Sequence, residues 1–470
     1  MSIVLAAPGD LDLAAFRRIA WEGETVELSR AAVERMAASR RAFEEFVTAA
    51  GERHFYGITT AHHRGAGVLL EAEARVAYAR RIPPTPASFG LPLPERMVRG
   101  IVAARVSGFV SGAAGVRPEL AHVVAAMLSA PMPTVPARGH GEPGEIGTLR
   151  SVFGALEDEL ELEAKEGMAL INGAPAAAAA LADIALAGMN RLAVAEEILA
   201  LSFEAAHGLE AHIDPALDEA WRDSHEAAAL ARLRELLAGS SARRPGHQSA
   251  VAFRDTPRLL GWQRRLQSWI EECAAISLAA PGDNPIFARG DDHGRSARIL
   301  SNAGYHDARA APMINAMARG WADLASLAAV QATRLAESPT GLAAQESQPE
   351  VTLLSMTALG WAEEARHAAG PTLISLGGSP PSDTSSPALL AWRLAEDAGT
   401  CLQGVLANLA VLAVHTIIAD GRRPPEPLGE RFEHVRERFP QDTRAPEYGV
   451  SLAAVAEEIE KQIHNGPTAA

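Results

Sequence analysis

Residues 175–212 constrain the fold most. After Pro175 they contain no further proline. Leu181, Ile184, Ala185, Met189, Leu192 and Leu199 form one apolar stripe, while Asp183, Asn190 and Glu197 lie elsewhere. That pattern predicts one long helix, and residues 308–335, 351–368 and 387–418 read the same way. Alanine, leucine and glutamate dominate the chain and aromatics make up only 5%, which favours helices over sheets. Several long helices without strand periodicity predict an all-α, long-helix bundle. Long helices with few caps often complete their core with other subunits, so an oligomer is expected.

Shorter helices are expected at 29–50, with Ser29 as N-cap, and at 71–81, 94–108, 118–128, 149–162, 214–237 and 258–278, with two more in 428–463. Residues 286–300 lack helical periodicity and read as extended. Residues 370–386 are rich in glycine, proline and serine. No repeat and no long linker divides the chain. It is read as an N-terminal region, 1–215, and a helical core with the C-terminal region, 216–470.

The formal net charge of −15 argues against nucleic acid and against an anionic membrane as partners. Only two cysteines occur, Cys273 and Cys401, both in helical patterns. No disulfide framework is expected, and a reducing, cytoplasmic setting is. Residues 1–10 lack the basic and apolar runs of a signal peptide. The most apolar window, 169–189, contains Asn172, Pro175 and Asp183, which predicts a buried core helix rather than a membrane span.

Two loops carry most of the chemistry. Residues 135–147 read Val-Pro-Ala-Arg-Gly-His-Gly-Glu-Pro-Gly-Glu-Ile-Gly, with His140, Glu142 and Glu145 among four glycines. Residues 54–67 carry Tyr56, His62 and His63 beside further glycines. Glycine and proline alone mark surface loops, but loops also carry function.

Four stretches resemble the aromatic amino acid lyase superfamily, which includes histidine and phenylalanine ammonia-lyases and tyrosine aminomutases. Tyr56-Gly57-Ile58-Thr59-Thr60 is similar to the Tyr-Gly-x-Asn-Thr-Gly loop. The run from Lys165 to Gly173 matches Lys-Glu-Gly-Leu-Ala-Leu-x-Asn-Gly and is the most specific. Gln248 to Arg254 follows the Gln-Asp-x-Tyr-Ser-x-Arg segment. Asp283-Asn284-Pro285, with Tyr305-His306 downstream, follows the last. The resemblance covers roughly the first 420 residues. It implies a homotetramer whose active sites are built from more than one subunit. It also implies a self-made electrophile, the MIO group (4-methylidene-imidazol-5-one), formed from an Ala-Ser-Gly tripeptide.

In this chain the tripeptide falls at Glu142-Pro143-Gly144, and Pro143 has no hydroxyl to eliminate. Val251 replaces the second tyrosine and Pro86 a histidine common in histidine lyases. The resemblance makes Tyr56 the catalytic base and Arg254 the carboxylate ligand. A phenol needs nearby positive charge or hydrogen-bond donors to act near neutrality, and a guanidinium suits a carboxylate. Glu142 and His140 are added as candidate acids. Asn172, Gln248, Arg254, Tyr305, His62, His63 and Asp383 are the expected substrate-binding residues. No cofactor, MIO included, and no metal is expected, since no metal-ligand spacing occurs.

The expected partner is a small-molecule substrate with a carboxylate. Two readings stand. One is a MIO-independent lyase or cyclase using elimination, conjugate addition or cyclisation. The other is a non-catalytic homologue that binds or scaffolds.

Overall fold

The structure, a computed structural model, describes residues 2–62, 65–242, 248–290, 295–340, 350–379 and 382–465. It is mostly helical, of the all-α class expected. The longest helices are Pro175–Ala205, Thr256–Ala279, Ala310–Ala336 and Ala388–Ala419. Two apolar stretches, Glu166–Ala205 and Ala388–Ala419, are long enough to cross a membrane by composition, yet 94% of each most apolar window is buried within the protein.

The chain divides into two compact units. One comprises Met1–Leu186, Ile270–Ile314 and Thr372–Arg393; the other comprises Ala187–Trp269, Asn315–Pro371 and Leu394–Ala470. The boundary at 215/216 read from the sequence falls inside the second unit.

Local sequence explains several helix ends. Ser29 caps Arg30–Ala50, its Oγ accepting from Ala32 N at 3.1 Å. Asp223 caps Ser224–Leu236 by accepting from the N–H groups of His225 and Glu226. That cap and Arg222, at φ 54°, split the single helix expected over 214–237. The helix expected to reach residue 212 stops at Ala205, because His207 takes a positive φ of 52° and turns the chain out of the helix. The helix expected over 149–162 is two, Ile146–Phe153 and Leu156–Glu159.

Short strands are present too. Ser2–Leu5 and Thr25–Leu28 pair in parallel, a pairing the four-residue strands gave no period to reveal. Ile286–Ala288 pairs antiparallel with Arg298–Leu300, in the stretch expected to be extended. Ser375–Ser379 pairs with Ser382–Ser385 within the Gly/Pro/Ser-rich stretch.

In the first unit the core gathers Phe16, Phe43, Phe109 and Phe153, all fully buried. Asp183 is also buried in this unit and holds three partners. Its carboxylate accepts from Trp21 Nε1 at 2.8 Å, Trp392 Nε1 at 2.8 Å and Arg96 Nε at 2.9 Å. In the second unit Trp321 is 1% exposed and lies under the Arg191 guanidinium, 4.6 Å from the ring centre.

Candidate active site

The motif from Lys165 to Gly173 sets the geometry of the first unit. Lys165 is buried at φ 74° and its Nζ lies 2.5 Å from Asp283 Oδ2. Glu166 is fully buried and accepts from Arg117 N, Nε and Nη2 and from Glu163 N. A Cβ at Gly167 would stand 2.5 Å from Arg81 O. Gly173, at φ 129°, admits no Cβ at all, because Gly282 O fills the space. The helix Glu166–Ile171 therefore ends in a tightly held Asn172-Gly173 turn, and Asn172 is buried there.

The tripeptide turn abuts this one. Pro143–Glu145 is a short 3-10 turn with Gly144 at φ 64°. A Cβ on Gly144 would lie 2.9 Å from Tyr305 Cβ and 3.0 Å from Gly173 O. The backbones of Gly144, Gly173 and Tyr305 thus meet. The strand Ser382–Ser385, which carries the exposed Asp383, packs against the same turn. The loop is tied upstream by Leu93 N to Val135 O and Ala137 N to Leu91 O.

The ionisable groups of this loop form one cluster. Glu142 Oε2 accepts from Gly141 N and Oε1 from Gly147 N, both at 2.7 Å. His140 Nε2 sits 2.7 Å from Pro136 O, and its Nδ1 is 3.7 Å from Glu142 Oε1, an ion-pair rather than a hydrogen-bond distance. Burial works against charge on both. The pairing of His140 with Glu142 and the backbone bonds outweigh it, raising the His140 pKa and lowering that of Glu142. Glu145, at φ 54°, is 2% exposed, and its Oε1 accepts from Leu389 N at 2.7 Å. Burial outweighs that bond and pushes its pKa from 4.5 to about 7.

Tyr56 lies on a wound turn in which Ile58, Thr59 and Thr60 all donate N–H to Phe55 O. Gly57 needs its positive φ of 65°, and a Cβ there would press on Met168 Cγ at 2.8 Å. The Tyr56 turn is thereby docked on the helix that ends at Asn172. His62 Nδ1 is 2.5 Å from the Tyr78 hydroxyl. Burial raises the Tyr78 pKa and the neighbouring Tyr56 adds to the rise, so Tyr78 stays protonated. Tyr78 was not among the expected site residues. The available signal was compositional: the chain has only four tyrosines, and Tyr56, Tyr78 and Tyr305 all belong to this unit.

The remaining expected residues lie elsewhere. Gln248 is exposed and Arg254 half-buried, both in the second unit, and among the described residues Arg254 Nε has no hydrogen-bond partner. His63 lies outside the described residues. Among the described residues no group of three or more His, Cys, Asp or Glu is arranged to hold a metal.

Comparison with known proteins gives the family and the fold. The family profile described as aromatic amino acid lyase matches residues 11–159 and 155–440. The histidine ammonia-lyase of Deinococcus radiodurans is 28% identical over 353 residues, covering 68% of this chain and 66% of its own, just under two thirds of that relative. Two solved structures share the fold. The tyrosine aminomutase of Streptomyces globisporus has a TM-score of 0.84 at 20% identity, over 99% of this chain and 98% of its own. The ergothionase of Treponema denticola has a TM-score of 0.83 at 17% identity, over 99% and 100%. With its motifs set in that fold and the profile matched along most of its length, this chain belongs to the aromatic amino acid lyase family.

Proposed function

We propose that this chain is a lyase- or cyclase-type enzyme that works without the MIO group on a small carboxylate-bearing substrate, an amino acid or a close relative. The observation carrying the reading is the meeting of Gly144, Gly173 and Tyr305. It sets an acid–base cluster beside the turn where the family's electrophile is formed. The residues present do not fit that group. Its formation needs a hydroxyl to eliminate, Pro143 has none, and the Glu142 carboxylate caps the N–H groups of Gly141 and Gly147.

Tyr56 is the base that removes a substrate proton. His140 is the acid, kept protonated toward neutral pH by the ionised Glu142 beside it. Arg254, in the second unit, is assigned to the substrate carboxylate by the family resemblance. Asn172, Tyr305, His62 and Asp383 of the first unit line the substrate, with Gln248 and His63 assigned to it by the family resemblance alone. The reaction is elimination, conjugate addition or cyclisation. None of these needs an electrophilic group when the proton removed is already acidic. A homotetramer in a cytoplasmic, reducing setting is part of the proposal. It agrees with two free cysteines, Cys401 buried and Cys273 half-buried.

Intact mass and turnover test it together. The purified chain should weigh its full sequence mass; a shortfall of two waters would overturn the MIO-independent reading. Product formation from a panel of amino acids and their N-methylated or hydroxylated relatives should vanish in Tyr56→Phe while the melting temperature holds. Unchanged turnover in that variant removes Tyr56 as base. The non-catalytic reading draws on one observation, that both Glu142 oxygens are occupied by backbone donors. No turnover anywhere in the panel would favour it.

A further inference from the structure

A second feature of the first unit is independent of the proposed reaction. A cavity of about 410 Å3 opens beside the Asn172-Gly173 turn, walled by Arg105, Gly108, Pro175, Gly282, His306 and Arg309 among others. Tyr56, His140, Glu142 and Glu145 are not on its wall. Its size lies in the range of pockets that hold small molecules.

Counting Lys165 behind the wall, the cavity is surrounded by one cation more than it has anions. Asp283 is already matched by Lys165 at 2.5 Å, and Asp307 by Arg309 at 2.9 Å. Arg105 is the cation left over. It is 3% exposed, and among the described residues its Nε and Nη2 have no hydrogen-bond partner. Its nearest counter-charge, Asp283, is shared with Lys165, and buried donors without acceptors are costly. Burial lowers the Arg105 pKa to about 10, with Asp283 opposing the fall; the group stays charged at neutral pH.

The helix Pro175–Ala205 also starts on this wall. Ala174 N donates to Gly282 O at 3.1 Å. The first N–H groups of the helix proper have no acceptor within it, and the positive end of its dipole faces the same region. Between these polar features the wall is apolar, with Ala104, Ala178 and Ile286.

We propose that this cavity is a binding site for a small organic anion, a carboxylate on a compact apolar body, with Arg105 as its counter-charge. The site does not depend on the chain's being a catalyst, and it is distinct from the carboxylate position assigned to Arg254.

Calorimetric titration with benzoate and with its uncharged counterpart benzamide tests it. The titration uses Arg254→Ala protein, so that the proposed substrate anchor cannot report. One benzoate per chain is expected, with benzamide at least tenfold weaker. Arg105→Met should weaken benzoate at least tenfold and erase the preference over benzamide. Gly108→Leu is the steric control. A Cβ at Gly108 meets nothing within 4 Å, so the added side chain starts into open space on the cavity wall, and leucine favours the helix. That variant should keep its melting temperature and lose benzoate. Benzoate binding unchanged in Gly108→Leu or in Arg105→Met overturns the site. Equal affinity for benzamide, or binding of inorganic phosphate without benzoate, overturns the ligand class. No binding of any probe overturns both.

Discussion

Replacing Glu145 by glutamine should raise the protein's stability relative to wild type as the pH rises. Glu145 is buried beneath the tripeptide turn, with its Oε1 on Leu389 N. Burial lifts its pKa from 4.5 to about 7, against the opposing pull of that bond and of His140. The folded carboxyl therefore holds its proton more tightly than the unfolded one. Below pH 4.5 both states are protonated and there is no penalty. Between 4.5 and 7 the folded state binds more protons, so stability falls as pH rises, and above 7 the penalty is complete. At about 1.4 kcal/mol per pH unit, that penalty is about 3 kcal/mol.

Glu145→Gln keeps an acceptor oxygen for Leu389 N–H and removes the titration. Any cost of its added N–H donors, about 1–3 kcal/mol if unpartnered, applies equally at every pH. Urea unfolding followed by circular dichroism, at matched protein concentration, at pH 5 and pH 8, gives the comparison. The variant should gain about 3 kcal/mol relative to wild type between the two conditions. A stability difference that is the same at both pH values would refute the reasoning.

Asp183→Ala leaves Arg96 and the indoles of Trp21 and Trp392 without their shared acceptor. A loss of about 3–5 kcal/mol is expected in the same urea assay, with a change in tryptophan emission. Gly173→Ala forces a Cβ onto Gly282 O at φ 129°. The backbone conformation alone costs about 1–3 kcal/mol, and the overlap should leave the protein insoluble or unfolded at 37 °C in expression trials. Soluble, cooperatively melting Gly173→Ala would refute the close approach of the two turns.

Much of the fold was legible because helix burial has a short period. The stripe from Leu181 to Leu199 predicted the helix that forms at Pro175–Ala205, and Ser29 predicted the cap it makes. The overshoot to residue 212 came from His207, whose positive φ no propensity signals. The parallel pairing of Ser2–Leu5 with Thr25–Leu28 was invisible, since strands so short show no alternation. In the site, the motif from Lys165 to Gly173 was readable as a motif. Its reasons were not: Lys165 answers Asp283, and Gly173 makes room for Gly282 O, partners more than a hundred residues away.

The chain's own order of residues determined its helical class, its family motifs and the proline at position 143, because periodicity, composition and side-chain chemistry are local properties. Only the tertiary structure decided which charges are matched. Glu142 is held by its own loop, Glu145 is driven toward neutrality by burial, and Arg105 is left with donors unused. The physical reason is that desolvation and ion pairing depend on what packs against a group, and those neighbours arrive from distant parts of the sequence.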